Sequence, residues 1–331
     1  MLSERIIEDD FHALFETPGC VKPYVYKIVS PGEEKLMRFL GREPKSITEA
    51  SEFFHVPFEE AKNLADKAYS RANIHKSREN PDRYYAATLY DRLGYFTQYE
   101  QEAWLTIPKE ERRIIDDWYV EAYSILTIND METGKADTHN HFGFLPIRYA
   151  VEKILAAAEK SDKPFYVVPC NCRTTTNACD LPRETCVHER YGPNSQWDRG
   201  HGRQLSLDEL RELLYAADKA GLMHSVSSTG HVCNCDSCCC YPTRMALNYN
   251  LKGEYRAINY VAIYDRDKCV SCGLCAKRCH LKAFRKDPTG KIRYDPNLCW
   301  GCGICETACP KGAIKTALLA EHNHPQGISY E

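Results

Sequence analysis

Two stretches near the C-terminal end repeat one spacing of cysteines. CVSCGLCAKRC carries Cys269, Cys272, Cys275 and Cys279, and CWGCGICETACP carries Cys299, Cys302, Cys305 and Cys309. Both read C-x2-C-x2-C-x3-C. Three thiolates at that spacing can wrap one face of an iron-sulfide cubane from a single loop and the first turn of a helix. The fourth, displaced onto the helix, reaches a neighbouring cluster. A zinc ribbon needs only C-x2-C pairs, so the third and fourth cysteines of each run argue against it.

A second constellation lies upstream. PCNCRTTTNACDLPRETC supplies Cys170, Cys172, Cys179 and Cys186, and CNCDSCCC supplies Cys233, Cys235, Cys238, Cys239 and Cys240. These nine thiols suffice for a third 4Fe-4S site and leave room for a further metal, provided the intervening helix folds the two groups against each other. In extended chain, Cys233 and Cys235 share a face, as do Cys238 and Cys240, while Cys239 points away. Crowded thiols are stable as metal-bound thiolates, whereas free neighbours oxidise. Structural zinc competes with iron-sulfur here. Iron-sulfur is favoured because the C-terminal repeats already require a setting in which clusters are assembled. Arg173 would either balance a cluster's charge or form a surface salt bridge.

Eighteen cysteines in 331 residues fit disulfides or metal, and the compartment decides. MLSERIIEDDFHALFETPGC has acidic residues where a signal peptide needs an apolar core, and no apolar run approaches the length of a membrane span. A cytoplasmic location, with reduced thiols and metal ligation, is the expectation. With 43 basic and 46 acidic residues interspersed, no broad positive surface marks nucleic acid or anionic lipid as a partner.

The elements that must hold these cysteines are legible from periodicity and caps. The first 169 residues contain one cysteine, Cys20, so that half is built by ordinary packing. SITEASEFFHVPFEEAKNLADKAYSRANI predicts two helices about a turn at His55 and Val56, the first opened by a Ser46–Glu49 capping box, with Pro57 in the first turn of the second. RLGYFTQYE, residues 92–100, is the candidate strand of a wing. The helix pair resembles a helix-turn-helix, whose DNA contacts would be Lys62, Lys67, Arg71, Lys76 and Arg78, but Glu59, Glu60, Asp66 and Glu79 dilute that positive face, and a packing module is favoured. An amphipathic helix is predicted from Pro108 to about Leu126, and residues 129–144 read as a loop or linker carrying His139 and His141.

Pro146 to Lys160 predicts another helix leading into the strand KPFYVVPC, which delivers Cys170. LSLDELRELLYAADKAGLMHSVSS is a helix with a Ser206–Glu209 capping box and a stop at Gly221, followed by a strand before His231. The polar tail EHNHPQGISYE contains His322 and His324. The fold class expected is α+β multidomain: a winged-helix-like helical domain (1–135), a cysteine-rich α/β metal-binding domain (136–256), a two-cluster ferredoxin fold (257–318) and a polar tail (319–331).

The repeats resemble those of bacterial-type two-cluster ferredoxins. That resemblance implies one 4Fe-4S cluster on Cys269, Cys272, Cys275 and Cys309, and another on Cys299, Cys302, Cys305 and Cys279. Pro310 follows Cys309 as the pattern expects, whereas His280 stands where the first motif would have proline. VVPCNCR paired with HVCNCDSCCC, ahead of such repeats, resembles a family of multi-cluster 4Fe-4S proteins of anaerobes, many with a helix-turn-helix-like N-terminal segment. Where that family's motif has paired cysteines, this chain has Cys235 followed by Asp236. The resemblance implies electron transfer in anaerobic metabolism and names no substrate.

The reading is an electron-transfer protein or subunit relaying low-potential electrons to a partner oxidoreductase, alone or within a larger complex; a homodimer is compatible with the sequence. Two alternatives remain open. One is an oxidoreductase with an open-coordination metal in the middle domain, and the other is a redox-sensing DNA-binding regulator. The chain has no dinucleotide glycine loop, P-loop or nucleophile elbow.

Overall fold

The computed structural model describes residues 5–134, 141–227, 231–255 and 258–321. His139, His322 and His324 lie outside the described residues. The chain mixes helix and strand and divides into two compact units. The first comprises 1–122, 169–177 and 190–202, and the second 123–168, 178–189 and 203–331.

The first unit packs helices around Phe11, Phe15, Ile28, Leu36, Phe96 and Trp104, all buried. Helices Ile47–Phe54 and Phe58–Ser70 meet at His55, whose positive φ of 52° lets the chain reverse. The Ser46–Glu49 capping box starts the first of them, satisfying backbone donors that the helix itself leaves open. A small antiparallel sheet has the order β1-β3-β2, with β1 at Lys45–Ser46, β2 at Ile74–Lys76 and β3 at Arg83–Ala86. Residues 92–100 are not a wing strand. They lie mainly in the helix Leu89–Tyr99, because Thr88 and Asp91 form a capping box and Leu89, Leu93 and Phe96 bury one helical face.

Three of the five expected DNA-contacting cations are paired with carboxylates. Lys62 meets Asp66 at 2.6 Å, Lys76 meets Asp198 at 3.0 Å, and Arg71 is held between Glu33 and Glu100. Arg92 also bonds Glu100, and burial pushes its guanidinium down to about 10.

The Lys109–Glu132 helix runs past the predicted end at Leu126 and takes up the start of the expected 129–144 linker. The end of that linker is strand β4, His141–Leu145. The second unit is built on a six-stranded sheet with order β4-β8-β9-β6-β5-β7. Its other strands are β5 (Tyr166–Pro169), β6 (Glu184–His188), β7 (Arg203–Gln204), β8 (Met223–Ser227) and β9 (His231–Cys235).

Alternation along these strands separates two faces. Leu145, Val167, Val187 and Val232 pack with Ile154 and Leu155 of the Ile147–Lys160 helix and with Leu210 and Leu214 of the Leu207–Ala220 helix. Phe144, Met223, Cys233 and Cys235 belong to the opposite face, packed with Met245, Trp300 and Ile304.

The C-terminal segment adds two antiparallel pairs. β10 (Tyr260–Tyr264) pairs with β13 (Ile314–Leu318), and β11 (Phe284–Lys286) pairs with β12 (Ile292–Tyr294). Short helices Leu274–Arg278 and Ile304–Ala308 follow the two cysteine loops.

Candidate metal centres

The two C-terminal cysteine runs enclose two hollows. The first is lined by Cys269, Cys272, Cys275 and Cys309, together with Tyr264, Ile292 and Ile314. The second is lined by Cys279, Cys299, Cys302 and Cys305, with Leu281, Phe284, Trp300 and Ile304. Each hollow thus draws three cysteines from one run and the last from the other.

Backbone amides point at the sulfurs. Ser271 N–H donates to Cys269 Sγ at 3.4 Å, Gly301 N–H to Cys299 Sγ at 3.4 Å, and Ala313 N–H to Cys309 Sγ at 3.2 Å. Such donors stabilise thiolate and tune the potential of a bound cluster. The tight loop needs glycine at 301, where φ is +70° and a Cβ would fall 2.1 Å from the Tyr260 carbonyl oxygen.

Burial differs between the hollows. Cys272 is exposed, and burial pushes the Cys275 thiol up to about 11. In the second hollow burial pushes the Cys302 and Cys305 thiols further up. A thiol in that position becomes a thiolate only beside a compensating cation, which iron supplies. Four sulfurs around an apolar hollow, with amide donors to those sulfurs, fit a 4Fe-4S cluster in chemistry.

One repeated signal went unread in the sequence. YDRDKC and YDPNLC place Tyr264 and Tyr294 at the same offset before Cys269 and Cys299. Both phenols are pushed up, chiefly by burial and with the adjacent cysteine contributing.

His280 takes a role that a proline could not. Its Nε2 lies 2.7 Å from the carbonyl oxygen of Gly221, the residue capping the Leu207–Ala220 helix, and its own carbonyl accepts from Ser237 Oγ at 3.2 Å. Arg278 donates to the Asp218 carbonyl at 2.7 Å and to the Ile304 carbonyl at 3.3 Å. A cation at a helix C-terminus satisfies open carbonyls and complements the dipole. The segment bearing Cys279 is therefore tied to the sheet's own helix.

The nine upstream thiols are shared between the two compact units. Cys170 and Cys172 belong to the first unit, at the start of the Asn171–Thr176 helix, and Arg173 beside them is fully buried, which removes the surface salt-bridge reading. The other seven are in the second unit. The pairing of Val187 with Val232 and His188 with His231 sets Cys186 beside Cys233 across β6 and β9. Hydrogen bonds connect Cys186 to Cys233, Cys233 to Cys235, and Cys235 to Cys240. His188 Nε2 lies 3.3 Å from Cys186 Sγ.

The expected pairing of Cys238 with Cys240 is not observed. After β9 the chain bends instead of staying extended, because the Asp236 carboxylate accepts the Cys239 N–H at 2.6 Å. Cys240 turns towards Cys235, while Cys239 lies 3.8 Å from Cys238 and 3.7 Å from Cys179. The donor atoms of Cys179, Asp236, Cys238 and Cys239 all fall within 4.8 Å of one another. Asp236 had drawn notice only as a departure from a cysteine pair; no spacing rule pointed to it.

The class of the C-terminal segment follows from these hollows and from comparison with known families. Residues 268–313 match the family model described as the 4Fe-4S dicluster domain. The protein is thus an iron-sulfur protein, and the match supports an electron-transfer role. No curated protein sequence matches the chain. Among the described residues, no helix is long and apolar enough to cross a membrane.

Proposed function

We propose that the protein is a cytoplasmic relay of low-potential electrons, holding three 4Fe-4S clusters and serving a partner oxidoreductase of anaerobic metabolism. Cys269, Cys272, Cys275 and Cys309 would ligate the first cluster, Cys279, Cys299, Cys302 and Cys305 the second, and Cys186, Cys233, Cys235 and Cys240 the third. Bound clusters of this kind supply one-electron transfer. The surrounding residues set its conditions: amides at positions 271, 301 and 313 donate to sulfur, and Trp300, Ile304 and Phe284 keep water from the second hollow.

The observation that carries the reading is a continuous apolar layer. Cys302, Trp300 and Ile304 pack in the same buried cluster as Cys233, Cys235 and Cys240. Two sets of sulfur ligands that share one buried hydrophobic cluster suit charge transfer with little solvent reorganisation. The DNA-binding alternative is disfavoured because Lys62, Arg71 and Lys76 are already neutralised by carboxylates.

Anaerobically purified full-length protein should be brown and carry about twelve irons per chain. Electron paramagnetic resonance after chemical reduction should show interacting reduced clusters. About eight irons would remove the third cluster, and a colourless, iron-free preparation would remove the relay.

A further inference from the structure

We propose that Cys179, Asp236, Cys238 and Cys239 form a mononuclear zinc site, separate from the iron-sulfur centres and independent of the relay reading.

Geometry distinguishes this group from the ferredoxin hollows. Sulfurs bound tetrahedrally to one ion at about 2.3 Å stand about 3.8 Å apart. Cys239 Sγ lies 3.7 Å from Cys179 Sγ and 3.8 Å from Cys238 Sγ. A 4Fe-4S cage places each thiolate on a different iron and so spreads its sulfurs further. Asp236 Oδ1, 3.2 Å from Cys238 Sγ, supplies the fourth donor.

The support around the donors is built as well. Cys239 N–H fixes the Asp236 carboxylate at 2.6 Å, as outer hydrogen bonds commonly orient ligating carboxylates. Asp236 and Cys239 are fully buried, Cys179 is half-buried and Cys238 is exposed, so an ion would be enclosed on one side and reached by solvent on the other. Three thiolates and a carboxylate suit a borderline-soft dication that prefers four ligands, which is zinc among the common biological metals.

The test uses full-length protein purified without oxygen from zinc-supplemented cells, with elemental analysis, and with cobalt(II) exchanged for zinc as a spectroscopic probe. Wild type should retain one zinc per chain beside its iron. Cobalt(II) should give a thiolate charge-transfer band with tetrahedral ligand-field bands. Asp236→Asn should hold zinc at least tenfold more weakly against a chelator, with unchanged iron content and unchanged resonance of the reduced clusters. Asp236→Cys, which restores four ionisable ligands, should recover zinc and intensify the charge-transfer band. Zinc absent from iron-replete wild type, equal zinc retention in Asp236→Asn, or a Cys179–Cys239 disulfide in place of metal would overturn the site. Loss of the relay reading would appear in the iron count and resonance instead.

Discussion

The ferredoxin segment and the middle sheet both concentrate cysteine, yet they arrange it differently. In the C-terminal segment, sulfurs line two hollows and accept hydrogen bonds from the backbone. In the bend after the last middle strand, sulfurs meet one another, with Cys239 Sγ 3.8 Å from Cys238 Sγ and 3.7 Å from Cys179 Sγ. A loop wrapped around open space suits a polynuclear cage. A bend that presses donors together suits one ion. The count of thiols is therefore a weaker guide to the metal than the distance between them.

The comparison is broken most directly by removing one sulfur from each region. Cys302→Ser should cost about four irons per chain and leave the non-iron metal in place, whereas Cys179→Ser should do the reverse; elemental analysis of both variants reads the difference. If each variant loses every metal, the two regions fold as one unit and the contrast fails.

A smaller effect is expected at the loop that shapes the second hollow. Gly301→Ala puts a Cβ against the Tyr260 carbonyl and strains a positive φ. It should destabilise the protein by about 3 kcal/mol, read as a lower midpoint of thermal unfolding. The smallest effect should come from His280→Ala, which removes the hydrogen bond to Gly221. About 1 kcal/mol of stability should be lost, with iron content unchanged; a shift in the resonance of one cluster would show that His280 also positions Cys279.

Much of the local structure was legible in the sequence because it is specified locally. Ser46 with Glu49 and Ser206 with Glu209 announce helix starts, and Gly221 announces a stop. Residues 92–100 misled because Tyr95, Phe96 and Tyr99 carry strand propensity, while the deciding Thr88–Asp91 cap lies upstream and uses the shorter acid. The helix at Lys109–Glu132 was legible in place but not in length: its stop is Gly134, at a φ of +67°, eight residues beyond the predicted end at Leu126.

Among the middle cysteines, alternation worked for Cys233 and Cys235, which lie in a strand, and failed for Cys238 to Cys240, where a carboxylate-to-amide bond folds the chain. Asp236 became visible as a donor only when the strand partners brought Cys179 alongside it. That proximity is a product of tertiary structure, and no periodicity encodes it.

The exchange of last cysteines between the two C-terminal runs has a consequence for how that segment can be divided. Because Cys309 closes the wall begun by Cys269, and Cys279 closes the wall begun by Cys299, a peptide spanning either run alone carries only three of the sulfurs around its own hollow. The duplicated halves are interdependent like clasped hands, and neither can be trimmed away to leave a working single-centre miniature.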